Sequence, residues 1–396
     1  MGNIAAFSDR LANADGKAVG EILTLTQQPD IISFAGGLPS ADSFPIEDMQ
    51  QIMRDFADNL GAEALQYGAA EGYKPLREEI IKFLATKNIN IGLDEIIVTS
   101  GSQQGLDLVA KTFINKGDKI IVESPTYLAA LQAFSMYEAQ FIEAPVDEDG
   151  VIPSELDRIL STEENVKLIY LIPCFQNPSG RTIPTGRRRE IMDVIRKYDV
   201  VVIEDAPYED LKYTDEIYPS LKSMDKDGQV LYFGSFSKSL APGFRLGYSV
   251  GCPKMLEKMV IGKQNCDLNV SVFTQMIVAE YMRRGLLPPH IEMICKQYAK
   301  KRDLMLEALE QEMPEGVTWT HPEGGLFIWA ELPSYMDTDQ LFPQAIAKKV
   351  AYIAGSSFFA KGEPKNCMRL NFSNATPEKM LQGVKALAEV IRDNMK

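Results

Sequence analysis

The chain has 396 residues, of which 45% are hydrophobic and 24% charged, and 41 Lys and Arg side chains against 55 Asp and Glu give a net charge of −14 with His neutral. This composition is typical of soluble globular proteins and excludes wholesale disorder, because such a chain buries enough apolar surface to offset the entropy lost on folding. It also argues against nucleic acid or an anionic membrane as the main partner, since neutralising phosphates requires an excess of Lys and Arg.

The first 44 residues contain one predicted helix, Lys17–Thr26, followed by a glycine-rich turn. A segment of this length cannot bury a core of its own, so we expect it to pack against another part of the protein. Its opening residues lack the apolar run of a secretory signal, and no run in the chain approaches the ~20 apolar residues that span a bilayer. We therefore expect no membrane partner.

The region that follows alternates short apolar strands with longer amphipathic helices. This alternation predicts an α/β fold with a mainly parallel sheet covered by helices on both faces. The predicted strands are Glu95–Thr99, Lys119–Glu123, Lys167–Ile172, Val200–Glu204, Val230–Gly234 and Leu246–Val250. The predicted helices are Gln103–Ile114, Leu128–Ser135, Thr185–Lys197 and Lys254–Asn265.

Near Pro288 the pattern changes to long helices around short strands, which predicts a second, smaller α+β domain. The predicted helices are Ile291–Glu312 and Pro377–Met395, and the strands lie near Val317–Thr320, Leu326–Glu331 and Met368–Phe372. At ~150 residues per domain, the length alone favours two or three domains. We expect an N-terminal segment (residues 1–44) packed with the small domain, a large domain (45–287) and the small domain (288–396).

Ligands of open α/β sheets bind beyond the carboxyl ends of the strands, so the residues after each predicted strand are the first candidates for a site. Ser102 and Gln103 open a helix, whose free N–H groups can bind a phosphate, although by itself this segment is more typical of an ordinary helix cap at Ser102. Tyr127 follows the next strand, either as a packing residue or as a platform for a ligand ring. Asn177 follows the third, in a turn-forming segment where its amide can bind a ligand oxygen.

A carboxylate and an amine follow the next two strands. Asp205 ends an apolar run, with Tyr208 shortly after it, and a carboxylate there is costly to bury unless a positive or protonated group pairs with it. Lys238 follows another apolar run and is flanked by small hydroxyl residues. In such a pocket an amine loses proton affinity and becomes a nucleophile, whereas most lysines are solvated surface charges. Arg245 adds a guanidinium a few positions later.

Placed at one sheet edge, these groups match pyridoxal 5′-phosphate (PLP), which has an aldehyde for the amine, a phosphate, a phenolic oxygen and a pyridine nitrogen that needs an anionic partner. The glycine patterns of nicotinamide and P-loop sites are absent, so nucleotide binding lacks support. His290 and His321 are the only histidines, and neither lies in a hydrolase motif.

The five cysteines are odd in number, scattered and without a C-x-x-C pair. With so few histidines to join them, we expect no metal site. Reduced thiols are typical of a reducing compartment, so the sequence predicts a cytoplasmic protein.

The sequence resembles the class I and II aminotransferases of PLP fold type I, over nearly its whole length. Within that family it is most similar to the 2-aminoadipate and kynurenine aminotransferases. The motifs that carry the resemblance are FAGGLP from Phe34, GSQQ from Gly101, FQNPSG from Phe175, GSFSK from Gly234 and MRLNFS from Met368. The resemblance implies a large domain with a seven-stranded, mainly parallel sheet between helices, plus a small α+β domain.

The resemblance also implies a role for each candidate. Lys238 would form the Schiff base with PLP and carry the proton between the substrate Cα and the cofactor. Asp205 would keep the pyridine nitrogen protonated, and Tyr127 would stack on the ring. Asn177 and Tyr208 would hydrogen-bond the phenolic oxygen, which makes Lys238, Asp205 and Tyr208 the expected catalytic set. The phosphate would be bound by Ser102, Gln103, Ser235, Ser237 and Arg245.

For the substrate, the resemblance implies that Arg369 pairs bidentately with the α-carboxylate, which suits a planar fork better than a lysine. Asn177 would lie beside it, and Gly37 would lie where the N-terminal segment closes over the substrate. Tyr67 would reach the phosphate in the neighbouring subunit, so the resemblance implies a homodimer with shared active sites.

One position departs from the pattern of the family. Relatives that prefer acidic or long side chains carry an arginine in the N-terminal helix, where this chain has Gly20 followed by Glu21, unless the alignment slips and Lys17 takes the place. We therefore do not extend 2-aminoadipate specificity to this chain. Some members carry a DNA-binding helix-turn-helix domain before the PLP domain, but here the motifs begin by residue 31, so we expect none.

These observations predict a PLP-dependent aminotransferase that moves an amino group from an L-amino acid to a 2-oxo acid, with 2-oxoglutarate as the expected acceptor. The expected mechanism is ping-pong Schiff-base chemistry. Two alternatives stay open. A β-lyase, or another reaction through a carbanion at Cα, needs the same Lys238, Asp205 and Arg369. A non-catalytic descendant would bind PLP or an amino acid and turn over nothing.

Overall fold

The computed structural model describes residues 8–12, 28, 30–58 and 61–396. The strands are β1 Ile32–Ser33, β2 Ile96–Thr99, β3 Lys119–Glu123, β4 Gln140–Ala144, β5 Val146–Asp147, β6 Gly150–Val151, β7 Val166–Leu171, β8 Val201–Asp205, β9 Val230–Ser235, β10 Gly247–Val250, β11 Thr318–Trp319, β12 Phe327–Glu331, β13 Val350–Ala351, β14 Ile353–Ala354 and β15 Cys367–Asn371.

The α-helices are α1 Asp9–Ala12, α2 Ile46–Asp58, α3 Lys74–Ala85, α4 Ser102–Phe113, α5 Leu128–Ser135, α6 Pro153–Thr162, α7 Thr185–Ile195, α8 Leu221–Met224, α9 Phe236–Ser239, α10 Pro253–Gln264, α11 Val272–Arg283, α12 Leu287–Glu312, α13 Thr338–Ala347 and α14 Pro377–Asn394. Short 3-10 turns occur at Ala41–Ser43, Ala62–Leu65, Leu93–Glu95, Pro242–Phe244 and Gly355–Phe358.

A seven-stranded sheet with the order β2-β10-β9-β8-β7-β3-β4 forms the centre of the fold. All neighbouring pairs are parallel except the two that involve β10, which runs against β2 and β9. The inner strands β8 and β9 are buried along their whole length, as expected for largely apolar strands of a sheet that helices cover on both faces. The parallel strands therefore all end at one edge of the sheet.

Helices cover this sheet in groups that follow the chain. Helix α4 packs against α5 and α10, α6 packs against α7, and α11 packs against α2 and α3. Their buried faces repeat at helical spacing, as in Leu76, Ile80 and Leu84 of α3. The apolar side chains between helices and sheet form the core clusters that hold the strand ends in fixed positions.

A second sheet, with the order β11-β12-β15-β14, is antiparallel throughout. The long helices α12 and α14 pack against each other beside it. Near the N-terminus, β1 pairs in parallel with β13, with Ile32 opposite Val350. The segment after β1 is thereby brought to the second sheet, where the backbone N–H of Asn371 donates a hydrogen bond to the carbonyl of Phe34.

The predicted α/β fold is confirmed, and the six strands predicted for the large sheet are all present, each within one residue of its predicted ends. Strand β4 was not predicted, because Gln140–Ala144 is only partly buried at the sheet edge and lacks a continuous apolar run. The predicted helix Lys17–Thr26 lies outside the described residues, and the domain boundaries stay a prediction. None of the helices described is both long and apolar enough to cross a membrane.

Candidate active site

A cavity of about 470 Å³ opens where the parallel strands end. It is bounded by the start of α4, the loops after β3, β7 and β8, the helix after β9, and the segment after β1. The structure brings to its wall twelve residues predicted for the site: Gly37, Ser102, Gln103, Tyr127, Asn177, Asp205, Tyr208, Ser235, Ser237, Lys238, Arg245 and Arg369. Tyr67 is not among the cavity-lining residues; it lies on the surface with 78% of its area exposed.

Glycines shape one end of the cavity around the start of α4. Gly101 has φ +74, which favours glycine, and a Cβ there would lie 2.8 Å from Nη2 of Arg245. A Cβ on Gly247 would lie 2.9 Å from the backbone nitrogen of Ser102. The missing side chains therefore keep the first N–H groups of α4 and the guanidinium close together, an arrangement that attracts an anion.

Two serines and an arginine complete this end. The hydroxyl of Ser235 accepts a 3.2 Å hydrogen bond from the backbone N–H of Ser237 as β9 turns into α9. Arg245 follows the 3-10 turn Pro242–Phe244 in a left-handed conformation with φ 49, and this turns its guanidinium back toward the carbonyl of Ser100. These groups suit a phosphate, which accepts several hydrogen bonds at once.

Asp205 is the last residue of β8 and is only 2% exposed. Its Oδ2 accepts a 2.7 Å hydrogen bond from the hydroxyl of Tyr170 on β7. Its Oδ1 is buried and finds no hydrogen-bond partner among the described residues. Burial raises the pKa of this carboxyl to about 7, and the Tyr170 hydroxyl opposes that rise. A protonated nitrogen placed against Oδ1 would satisfy both the charge and the missing bond.

Lys238 lies in α9, directly after β9. Its Nζ donates a 2.7 Å hydrogen bond to the carbonyl oxygen of Gly37. Burial, followed by the positive charges of Arg369 and Arg245, lowers the pKa of this amine to about 8. The unprotonated amine, which is the form that attacks an aldehyde, is therefore far more abundant near neutral pH than in an exposed lysine.

Arg369 reaches the cavity from β15 and is 3% exposed. Its Nη1 donates to Oδ1 of Asn177 and its Nη2 to the carbonyl of Ala35, both at 2.6 Å. The guanidinium lies 4.1 Å from the ring centre of Phe327. Burial lowers its pKa to about 10, so it stays positive at neutral pH. Its Nε is buried without a partner in the described part of the chain, which leaves a donor for a ligand.

The remaining polar groups are neutral hydrogen-bonding side chains. Nδ2 of Asn177 lies 3.3 Å from the hydroxyl of Tyr208, whose ring packs edge-on against Phe327. Burial raises the pKa of Tyr127 to about 12 and also raises that of Tyr208. Both phenols therefore stay protonated and can donate to an oxygen.

These unsatisfied and preorganised groups fit PLP. Oδ1 of Asp205 could accept a hydrogen bond from a pyridine N–H, the start of α4 could bind a phosphate, and the amine of Lys238 could react with an aldehyde. Tyr170 and the rings that flank Arg369 were not predicted for the site. Tyr170 reads in the sequence as one more apolar position of a strand, and only the strand pairing reveals its partner.

Comparison with known proteins identifies the family. The family model "Aminotransferase class I and II" matches residues 29–387. The chain is 43% identical to aromatic-amino-acid aminotransferase 1 of Thermococcus litoralis, covering 98% of this chain and 95% of that protein. It is 35% identical to the 2-aminoadipate transaminase of Thermus thermophilus, over 98% and 96% of the two chains.

A solved structure points the same way. The kynurenine aminotransferase of Pyrococcus horikoshii, whose crystal structure contains PMP (the amine form of the cofactor), superposes with a TM-score of 0.94 and 44% identity over 98% of both chains. Together with the cavity geometry, these matches confirm the predicted cofactor, fold type and reaction class. The chain belongs to the class I and II aminotransferases and is a PLP-dependent transaminase of fold type I.

Proposed function

We propose that the enzyme transfers the amino group of an L-amino acid, preferably an aromatic one, to 2-oxoglutarate. The observation that carries this is the convergence of Lys238, Asp205 and Arg369 on one cavity. The donor preference is supported by the apolar wall residues Leu38 and Leu128, and by relatives named for aromatic amino acids and kynurenine.

Bound PLP supplies an electron sink for the electron pair left at the substrate Cα when its proton departs. Nζ of Lys238 is the group that takes this proton and later returns it. Its lowered pKa, about 8, suits a base that works near neutral pH. Oδ1 of Asp205 holds a proton on the ring nitrogen, which strengthens the electron sink.

The substrate α-carboxylate binds the guanidinium of Arg369. Because its Nη1 is already held by Asn177 and its Nη2 by Ala35, the fork is fixed in orientation before the substrate arrives. Oδ1 of Asn177 is used by this contact, so its Nδ2, together with the hydroxyl of Tyr208, is the donor left for the phenolic oxygen of the cofactor. Gly37 lets the segment after β1 approach, since a Cβ there would lie 3.0 Å from the ring of Phe327.

At the other end of the cavity, we assign the phosphate to the start of α4 and to the side chains around it. The ring of Tyr127 would stack on the pyridine, since it lines the same cavity. The proposed phosphate ligands are Ser102, Gln103, Ser235, Ser237 and Arg245.

The proposed assembly is a homodimer in which each subunit completes the site of the other. Tyr67 and Leu65 are large side chains left 78% and 76% exposed in the single chain, and Tyr67 lines a surface groove with Val272 and Phe273. An exposed aromatic and leucine side by side is typical of a contact surface. In the dimer Tyr67 would donate to the phosphate of the neighbouring subunit. We place the enzyme in the cytoplasm, in keeping with its five free cysteines.

A single half-reaction tests the proposed function. The PLP-loaded enzyme is mixed with an L-amino acid and no 2-oxo acid, and the cofactor and products are quantified. Transamination leaves the amine form of the cofactor and an equal amount of the 2-oxo acid of the donor. Added 2-oxoglutarate then restores the aldehyde form and yields glutamate. Release of pyruvate and ammonia would instead identify a β-lyase, and no change with any donor would identify a binding protein.

Matched variants connect the half-reaction to the cavity. Lys238→Ala removes the proposed base, and we expect it to form no 2-oxo acid. Lys258→Ala removes a lysine from the exposed face of α10 and should convert the cofactor as the parent does. Equal conversion by both variants would contradict the role given to Lys238. A donor panel that includes aromatic, acidic and branched amino acids tests the preference.

A further inference from the structure

Tyr170 lies on the strand next to the one that ends in Asp205, and the pairing of the two strands brings both side chains to one face. Tyr170 of β7 lies opposite Ile203 of β8. Alternate residues of a strand share a face, so Asp205, two positions after Ile203, lies on the same face as Tyr170. The register alone therefore places a phenol diagonally across from the carboxylate, within reach of its oxygens.

The contact with Tyr170 involves only one of the two carboxylate oxygens of Asp205. The hydroxyl of Tyr170 donates to Oδ2 of Asp205 at 2.7 Å, with both side chains buried. Oδ1 is left without a partner within the described ranges, and Asp205 lines the cavity. Oδ2 is thus held by the protein, and Oδ1 is free to bind a ligand. The contact fixes the orientation of the carboxylate in the wall of the cavity.

In this contact the phenol of Tyr170 is always the hydrogen-bond donor. Burial, followed by the charge of Asp205, raises the pKa of Tyr170 well above its usual value, so the hydroxyl stays protonated and donates. A hydrogen bond donated to a carboxylate stabilises its charged form. The other phenols that face Asp205, Tyr127 and Tyr208, are neutral as well, because burial also raises their pKa values. The ring of Tyr170 packs edge-on against Phe134, with centroids 5.7 Å apart.

We propose that Tyr170 is a positioning residue for the cofactor: its hydroxyl keeps Asp205 ionised and turned toward the ring nitrogen of PLP, and so holds the proton on that nitrogen. The inference rests on the proposed role of Asp205. A carboxylate that loses a hydrogen-bond donor becomes more basic. Without the Tyr170 hydroxyl, the proton between the ring nitrogen and Asp205 would therefore move toward Asp205. The ring nitrogen is then less fully protonated, and PLP is held less tightly.

The test is ¹⁵N NMR of the enzyme loaded with PLP labelled with ¹⁵N at the ring nitrogen, because the chemical shift of that nucleus reports its protonation directly. For Tyr170→Phe we expect the signal to move from the protonated position of the parent toward that of unprotonated pyridine. We also expect PLP to dissociate about tenfold more readily, as the loss of one hydrogen bond to a charged group implies.

Two control variants separate the hydroxyl from packing. Tyr352→Phe removes another buried phenol hydroxyl, one that donates to the carbonyl of Thr338 at 2.6 Å, and neither of these residues lines the cavity. Phe134→Leu loosens the packing on Tyr170 but leaves its hydroxyl in place. Both should keep the parent ¹⁵N signal, and a shift in either as large as that of Tyr170→Phe would overturn the proposal.

The outcomes also separate this inference from the function on which it rests. A parent signal at the unprotonated position would contradict the role of Asp205 itself. A protonated parent signal that Asp205→Asn moves but Tyr170→Phe leaves unchanged would keep that role and overturn the inference about Tyr170. A protonated parent signal that both variants move supports the two together.

Discussion

Nη1 of Arg369 donates a 2.6 Å hydrogen bond to Oδ1 of Asn177, a residue 192 positions away in the chain. Arg369 belongs to β15 of the four-stranded sheet, whereas Asn177 follows β7 of the seven-stranded sheet. This bond joins the two sheets across the cavity. It fixes the guanidinium of Arg369, assigned to the substrate carboxylate, relative to the amide of Asn177, assigned to the cofactor. The substrate and the cofactor therefore bind to a site that is already formed.

Replacing Arg369 with lysine keeps the charge but removes the fork. We expect Arg369→Lys to lower kcat/KM for the amino donor by about 10- to 100-fold, mainly through KM, because one bidentate, charge-assisted pair is lost. Steady-state kinetics with saturating 2-oxo acid measure this. Arg392→Lys, on the exposed face of α14, is the matched control. A change no larger than that of the control would contradict the assignment of the carboxylate to Arg369.

The anion site at α4 is tested by a pair of glycine substitutions. Gly101→Ala places a Cβ at φ +74 and against Arg245, whereas Gly117→Ala places one at φ +86 with no atom within 4 Å. Both should lose about 1 kcal/mol of folding stability through backbone strain. Only Gly101→Ala should also weaken PLP binding, measured by fluorescence titration of the cofactor-free protein. Equal PLP affinity in the two variants would contradict the phosphate site.

The pH dependence of cofactor loading follows from Lys238. Only the unprotonated amine attacks the aldehyde, and its pKa is lowered to about 8, so the rate of loading should rise as the pH increases through about 8 and then level off. Arg369→Gln removes a charge that lowers this pKa, so the rise should move to higher pH. Stopped-flow absorbance on mixing protein with PLP measures both curves. A curve that falls with pH, or one that Arg369→Gln leaves in place, would be inconsistent with this role.

Glu123 predicts a pH effect on stability that does not involve catalysis. This buried residue accepts a hydrogen bond from the N–H of Ile172, and burial raises its pKa to about 8 from an ordinary 4.5. The folded chain therefore binds more protons than the unfolded chain between those values, and stability falls as the pH rises through that window, with each pKa unit worth ~1.4 kcal/mol.

Substituting Glu123 with glutamine removes the titration but keeps the shape. We expect the melting temperature of the cofactor-free Glu123→Gln variant to fall less between about pH 5 and pH 8 than that of the parent. The exposed Glu310→Gln is the control. Parallel curves for Glu123→Gln and parent would show that Glu123 is charged in the folded protein throughout this range.

Much of this site was predictable because its residues follow strands of a parallel sheet. The apolar runs before Asp205 and Lys238 locate β8 and β9, and parallel strands bring their carboxyl ends to one edge. Strand β10 runs antiparallel to both of its neighbours, β2 and β9. Its direction depends on these pairings and could not be predicted from its own sequence. Helix α13 contains Pro343, a residue that argues against a helix from sequence alone.

Contacts between residues far apart in the chain could not be predicted from local sequence patterns either. Tyr170 is an ordinary member of an apolar run until β7 is placed beside β8 in register. The carbonyl of Ala35 becomes a partner of Arg369 only once β1 pairs with β13 and carries the following segment to the cavity. Gly20, where the resemblance predicts a departure from the pattern of the family, lies outside the described residues.

We predict that Lys238 is the residue that bonds to PLP, and chemical mapping tests this prediction most directly. The protein is incubated with PLP, reduced with borohydride to make any carbon–nitrogen bond permanent, digested, and analysed by mass spectrometry. We predict the added mass on the peptide that contains Lys238, and none there in Lys238→Ala. Stoichiometric labelling of a different lysine, with the Lys238 peptide unmodified, would contradict the claim.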